Sequence, residues 1–178
     1  MLAILSLSVR VFLMLIWQQN YRGLAVTGLG NQTLLSLPMT AFFASRQCPG
    51  VGIRLAMDWA IQQAQVKNVV ISGFHSPLEQ SVLKLLIEAQ SPVVVVLARP
   101  VESVRLPPGW RELLELGYMA VISVTTSTAR LNGDLATERN DLVTLLANHT
   151  VVAHASIGGI LESLCMQWAA QGRLVIQL

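Results

Sequence analysis

Short β-branched runs that stop at small residues and hand over to helical patterns constrain this chain more than any other feature. Val69-Val70-Ile71 ends at Ser72-Gly73, and after Phe74-His75-Ser76 a helical pattern begins at Pro77. Proline suits that first helical position because the N–H it lacks would have no partner there. Residues 92–97 (PVVVVL) form a continuous apolar run, as expected of a central parallel strand covered on both faces. Ile53, Ala56, Met57, Ala60, Ile61 and Ala64 recur at spacings of three and four, which predicts a helix over 53–65 with one buried face. Further strands are predicted at 40–44, 119–124, 150–153 and 174–177, and further helices at 77–89, 107–116, 135–147 and 160–171. Residues 24–26 read as a short apolar run closed by a turn at 27–30, and 125–133 as a polar turn. Strands alternating with helices imply right-handed crossovers. The expected class is α/β with a mostly parallel sheet.

The 178 residues suffice for one domain with a sizeable core. Hydrophobic residues make up 53% and charged ones 12%, with a mean hydropathy of +0.55, a balance that excludes disorder. A formal charge of +2 argues against a densely basic nucleic-acid binder. Ten of the twelve cations are nevertheless Arg, whose fork suits bidentate phosphate recognition. An Arg-rich genome explains that bias equally well. Cys48 and Cys165 give neither a metal spacing nor a disulfide framework, so a cytoplasmic setting is expected. His75, His149 and His154 are scattered, and no metal or other cofactor is expected.

Residues 1–17 are almost wholly apolar, interrupted by Arg10. The run is short for a membrane span and carries that charge near its middle. It has no basic leader and no prompt small-x-small cleavage site. Residues 1–22 are therefore expected to form a helix that packs on the domain or a partner, with membrane contact through 1–17 as the rival. Residues 23–178 form the domain proper.

Loops after successive strands hold the candidate binding residues: Ala44-Ser45-Arg46, Ser72-Gly73-Phe74-His75, and His154-Ala155-Ser156-Ile157-Gly158-Gly159. Glu138-Arg139-Asn140 is placed at the start of a helix. In a parallel sheet the three loops converge on one edge. Gly73, Gly158 and Gly159 would let backbone approach a ligand, and Ser45, Ser72 and Ser156 would offer hydroxyls to phosphate or ribose. Arg46 and Arg139 would add charge-assisted contacts. Each glycine read alone is an ordinary turn. Trp59, Trp110 and Trp168 read as core or helix-packing residues rather than stacking platforms, Cys48 as a plain loop thiol, and His149 as a surface turn residue.

The order of these motifs resembles the Rossmann-like three-layer core of the DprA/Smf DNA-processing proteins and the related LOG proteins. In DprA-like chains the core opens on a strand followed by Gly-Ser-Arg, here Ala44-Ser45-Arg46. A Ser-Gly loop and an acidic residue at a helix head follow, matched by Ser72-Gly73 through Glu79. Arg-Asn comes later, matched by Arg139-Asn140. The likeness spans about residues 40–178. It departs at Ala44, where the family has Gly, and at Phe74–Pro77, which lacks an Ala-Arg-Gly pattern. Gly158-Gly159 followed by Glu162 partly matches the LOG signature, without its Pro, third Gly and Thr.

The resemblance implies a nucleotide- or phosphate-binding protein, with single-stranded DNA as the partner and DNA processing or uptake as the process. It also implies a homodimer. The alternatives are a LOG-like nucleoside 5'-monophosphate phosphoribohydrolase and a non-catalytic nucleotide sensor. If the chain is an enzyme, it is an N-glycosidic nucleotide hydrolase with Glu162 or Glu79 as its carboxylate. Each of these carboxylates equally well complements a helix dipole. His75 titrates near neutrality and is a candidate phosphate donor or a plain solvated loop residue.

Overall fold

The computed structural model describes residues 16–124 and 133–178. Nearly all of the apolar run 1–17 and nearly all of the turn expected at 125–133 lie outside the described residues. Strands β1 (Trp17–Tyr21) and β2 (Leu24–Gly30) come first, then a 3-10 turn at Gln32–Ser36 and β3 (Met39–Phe43). Helix α1 (Gly50–Val66), β4 (Val69–Ser72), α2 (Pro77–Glu88) and β5 (Val93–Val96) follow. A 3-10 turn at Val101–Ser103, α3 (Pro108–Glu115) and β6 (Met119–Ser123) complete this half. The chain closes with α4 (Gly133–Leu146), β7 (His149–Val152), α5 (Ile160–Ala170) and β8 (Val175–Gln177).

The strands form one sheet in the order β1-β2-β6-β5-β4-β3-β7-β8. From β6 through β8 every pairing is parallel, and β2 joins β6 and β1 joins β2 in antiparallel fashion. This is the expected α/β, Rossmann-like three-layer fold. Helices α1, α2 and α3 cover one face, and α4, α5 and the first 3-10 turn cover the other. Adjacent residues of β3 serve opposite faces, as the two-residue period of a strand requires. Phe42 stacks on Trp59 with ring centroids 4.8 Å apart, while Phe43 meets Trp168 at 5.0 Å on the far side. Both tryptophans are core residues, as their spacing implied.

Two segments differ from expectation. Residues 27–30 are strand rather than turn, pairing with β6 from Thr27 opposite Ser123 to Gly30 opposite Ala120. Their glycines admit a neighbour: a Cβ on Gly28 would lie 2.2 Å from the Trp17 ring. Trp17 covers that spot and its Nε1–H donates to the Gly30 carbonyl at 2.9 Å. Residues 17–21, assigned by sequence to the helical segment ending at 22, are strand β1. The boundary after residue 22 falls inside the hairpin turn, where Arg22 and Gly23 have φ of 49° and 84°. Positive φ at both central residues matches the twist of the flanking strands. His149 also differs, since it opens β7 with Nε2 3.1 Å from the Thr40 hydroxyl. Among the described residues no helix is long and apolar enough to cross a membrane.

Trp168 is fully buried and its indole N–H donates to Asp141 Oδ1 at 2.7 Å, joining α5 to α4. Trp168→Ala is expected to destabilise the fold by about 3–5 kcal/mol. Trp168→Phe, which loses the bond to the carboxylate but keeps most of the packing, costs about 1.5–3 kcal/mol. Urea denaturation of the three proteins checks both the size and the order.

Candidate functional site

Strand order reverses between β3 and β7, the place where open α/β sheets hold ligands outside the carboxyl ends of their strands. A cleft of about 660 Å³ lies there, bounded by the loops after β3, β4 and β7 and by the facing sides of α4 and α5. Ser45, Arg46, His75, Arg139, Asn140 and Ser156 line it, together with Glu79 and Gly159. Three loops and two helices thus meet at one cleft, with Ser45 and Ser156 111 residues apart in sequence.

The loops are tied together by side chains of the cleft itself. Glu79 is buried, and its Oε1 accepts the Ala44 N–H at 3.0 Å. Its Oε2 accepts the His75 and Ser76 N–H groups at 2.7 and 3.1 Å. Ser76 caps α2 and accepts the Glu79 N–H in return, forming a capping box. Burial pushes the Glu79 carboxyl upward, opposed by those three N–H groups and by nearby Arg139. Both oxygens are engaged in holding backbone. Ser45 joins the other side: its N–H donates to the His154 carbonyl at 2.9 Å, and its Oγ accepts the Ser156 N–H at 2.9 Å. The Ser45 hydroxyl proton remains to be donated elsewhere.

Arg139 is buried on α4, where its Nε and Nη2 donate to Asn140 Oδ1 at 3.2 and 2.9 Å. That arrangement leaves Arg139 Nη1 and the Asn140 amide as donors for a guest. The pair lies in the second turn of α4, not at a helix start, because the helix already begins at Gly133. Gly73 makes room for it: a Cβ there would sit 2.5 Å from Arg139 Nε. The uncapped N-terminus of α5 adds a positive pole, with Ile160 and Leu161 on the cleft wall. Loss of water around the ring, then Arg139, Arg99 and Arg46 in turn, lower the His75 pKa to about 4. The imidazole thus stands within reach of three guanidinium groups, which add to the effect of desolvation.

Other candidates have different tasks. Ser72 is buried and its Oγ accepts the Phe74 N–H at 3.1 Å, so it braces its own loop. Phe74 is buried in the core with φ of 50°, a left-handed conformation uncommon for a bulky residue. Gly73 lies on a neighbouring groove. Gly158 is outside the cleft lining, and its N–H donates to Glu162 Oε2 at 2.7 Å. Glu162 thus closes the loop ahead of its own helix. The Gly159 N–H is likewise taken, by the Ser156 carbonyl at 2.9 Å. Burial raises the Cys48 pKa, which keeps that thiol unactivated. Arg99 was not among the sequence candidates. Its signal was available, because it follows the strand run at 92–97 just as Arg46 follows β3.

The family described as DNA recombination-mediator protein A matches residues 19–175. No curated protein matches the sequence. DNA processing protein A (DprA) from Streptococcus pneumoniae has a similar structure, with a TM-score of 0.69 at 20% identity. The match covers 86% of this chain and 54% of that one, so this chain spans about half the length of the pneumococcal protein. DprA from Helicobacter pylori, described for its single-stranded DNA binding mode, gives 0.70 at 14% identity, covering 86% and 71%. A molybdenum cofactor carrier protein from Chlamydomonas reinhardtii gives 0.54 at 13%, covering 79% and 76%. At such identities these structures share the fold alone.

The lowered His75 pKa can be followed by NMR titration of its ring proton. The expected midpoint is about 4, rising in Arg139→Gln, which removes the largest of the three Arg contributions. A midpoint near 6.5 in the wild-type protein contradicts the cationic cleft. The folded value lies below the unfolded one, so the contribution of His75 to stability is present above pH 6.5 and is lost as pH falls toward 4.

Proposed function

Because the chain belongs to the DNA recombination-mediator protein A family, we propose that its strand-end cleft binds the phosphates of single-stranded DNA in DNA processing. The observation that carries this reading is the cationic field of Arg46 and Arg139 on the cleft wall, which with Arg99 adds to the lowering of the His75 pKa that desolvation of the ring begins. A net charge of +2 hides that field because it is local. The free donors are of the kind a phosphate accepts: the exposed Arg46 guanidinium, Arg139 Nη1, the Asn140 amide and the Ser45 hydroxyl. Arg46 is exposed, with no ion pair among the described residues.

Binding is favoured over base release by the state of the carboxylates. Hydrolysis of an N-glycosidic bond calls for a carboxylate with a free lone pair facing the substrate. Glu79 is engaged with three backbone N–H groups, and Glu162 is bonded to Gly158 outside the cleft lining. A homodimer in the cytoplasm belongs to the same proposal. Exposed Met166 on α5 with Leu174 and Ile176 at the β8 edge support self-association.

Fluorescence anisotropy with a labelled oligo-dT tests the reading. Binding is expected to fall with salt, and Arg46→Ala should weaken it about tenfold. The same substitution should reduce the logarithmic salt slope by about 0.7, the contribution of one phosphate contact on a single strand. Gly73→Ala is expected to fold and still lose affinity, because its methyl pushes the Arg139 fork out of its place. Salt-independent binding, or affinity unchanged by Arg46→Ala, overturns the proposal. Purified protein given nucleoside monophosphates is expected to release no free base.

A further inference from the structure

A second groove of about 570 Å³ opens beside the first, over the carboxyl end of β5. The two share His75 as a wall, and the Gly73-Phe74-His75 loop divides them. They differ in the functional groups they carry. The first carries the Arg46 and Arg139 guanidinium groups and the hydroxyls of Ser45, Ser76 and Ser156, beside an apolar wall of Ile160, Leu161 and Leu164. The second has Val95, Leu97, Ala98, Pro100 and Trp110 as its apolar walls, with Arg99 among its few polar ones.

Trp110 is the notable member. It sits in the first turn of α3, two residues after Pro108 at the proline-started head of the helix. Its backbone N–H bonds back to the Pro107 carbonyl at 3.1 Å. The side chain is half-buried against the core and presents its remaining surface to the groove. Trp17 and Trp168 donate their indole N–H groups to Gly30 and Asp141, whereas that of Trp110 has no partner among the described residues. An aromatic ring that is partly open and equipped with a free donor is suited to a flat, polar-edged guest.

We infer that this second groove holds a nucleobase, with Trp110 as its stacking face and Arg99 on the adjoining phosphate. The inference rests on the phosphate-binding reading of the first cleft. A cleft holding two guanidinium groups next to a groove with an indole wall matches the alternation of phosphate and base along a single strand. Base-paired DNA keeps its bases stacked on each other and unavailable, so the groove also selects single strands.

The test compares two ligands, oligo-dT and a strand of the same length whose sugars carry no bases, against wild-type protein and Trp110 variants. Trp110→Leu is expected to weaken oligo-dT binding by about 5- to 100-fold, the range for loss of one aromatic stacking face. It should leave binding of the baseless strand unchanged. Trp110→Tyr, which keeps an aromatic face, should retain most of the oligo-dT affinity. If Trp110→Leu weakens both strands equally or neither, or if Trp110→Tyr loses as much as Trp110→Leu, the base groove is overturned while phosphate binding stands. If the wild-type protein binds neither strand, the phosphate reading itself fails.

Discussion

The buried carboxylate of Glu79 is the interaction on which the cleft depends. It accepts N–H groups from Ala44 at the end of β3 and from His75 and Ser76 after β4. Two neighbouring parallel strands end in loops that no ladder hydrogen bond reaches. Without an acceptor between them, the buried Ala44 and Ser76 donors would be unmatched, each at a cost of about 1–3 kcal/mol, and the part-buried His75 donor would lose its partner as well. A neutral side chain of similar size lacks two oxygens able to accept all three. The carboxylate does, at the expense of its own desolvation. Arg139 offsets part of that expense from α4, which links the second sheet face to the loops of the first.

Arg139 both packs against the buried carboxylate and lines the cleft. Its burial is offset by the Glu79 charge and by the two bonds to Asn140. Gly73 is the complementary half of the arrangement, since any side chain there would occupy the guanidinium's place. A rigidly held cation has less freedom to lose when a ligand arrives, which favours binding. Arg46 and Arg99 are exposed by comparison, and charges so placed attract an anionic chain from solution.

Much of this was legible in the sequence because parallel strands and their loops leave strong local marks. The apolar runs at 69–71 and 92–97, and the small residues after them, located the sheet edge. Pro77 and Glu79 marked the head of α2. The Arg139-Asn140 pair was recognised as part of the site, but its place within a helix depends on where α4 starts, which polar residues around 133 do not reveal. Strand β2 was hidden because its glycines look like a turn until Trp17, eleven residues before Gly28, is seen to cover that glycine. The tasks of Glu79 and Glu162 were also hidden. A carboxylate near a helix N-terminus reads the same whether it faces a ligand or its own loop, and only the three-dimensional positions of Ala44 and Gly158 decide between these.

The Ser72–Ser76 loop ties these observations into one mechanical unit. Phe74 is held at positive φ, a conformation that costs a bulky residue about 1–3 kcal/mol. Its ring is sunk in the core and its N–H is bonded to Ser72, so the conformation is over-determined by its surroundings. The consequence is placement: Gly73 backs onto Arg139, Phe74 anchors inward, and His75 stands between the two grooves. Because Glu79 holds the same loop from the other end, a guest pressing on either groove meets a wall fixed at both ends.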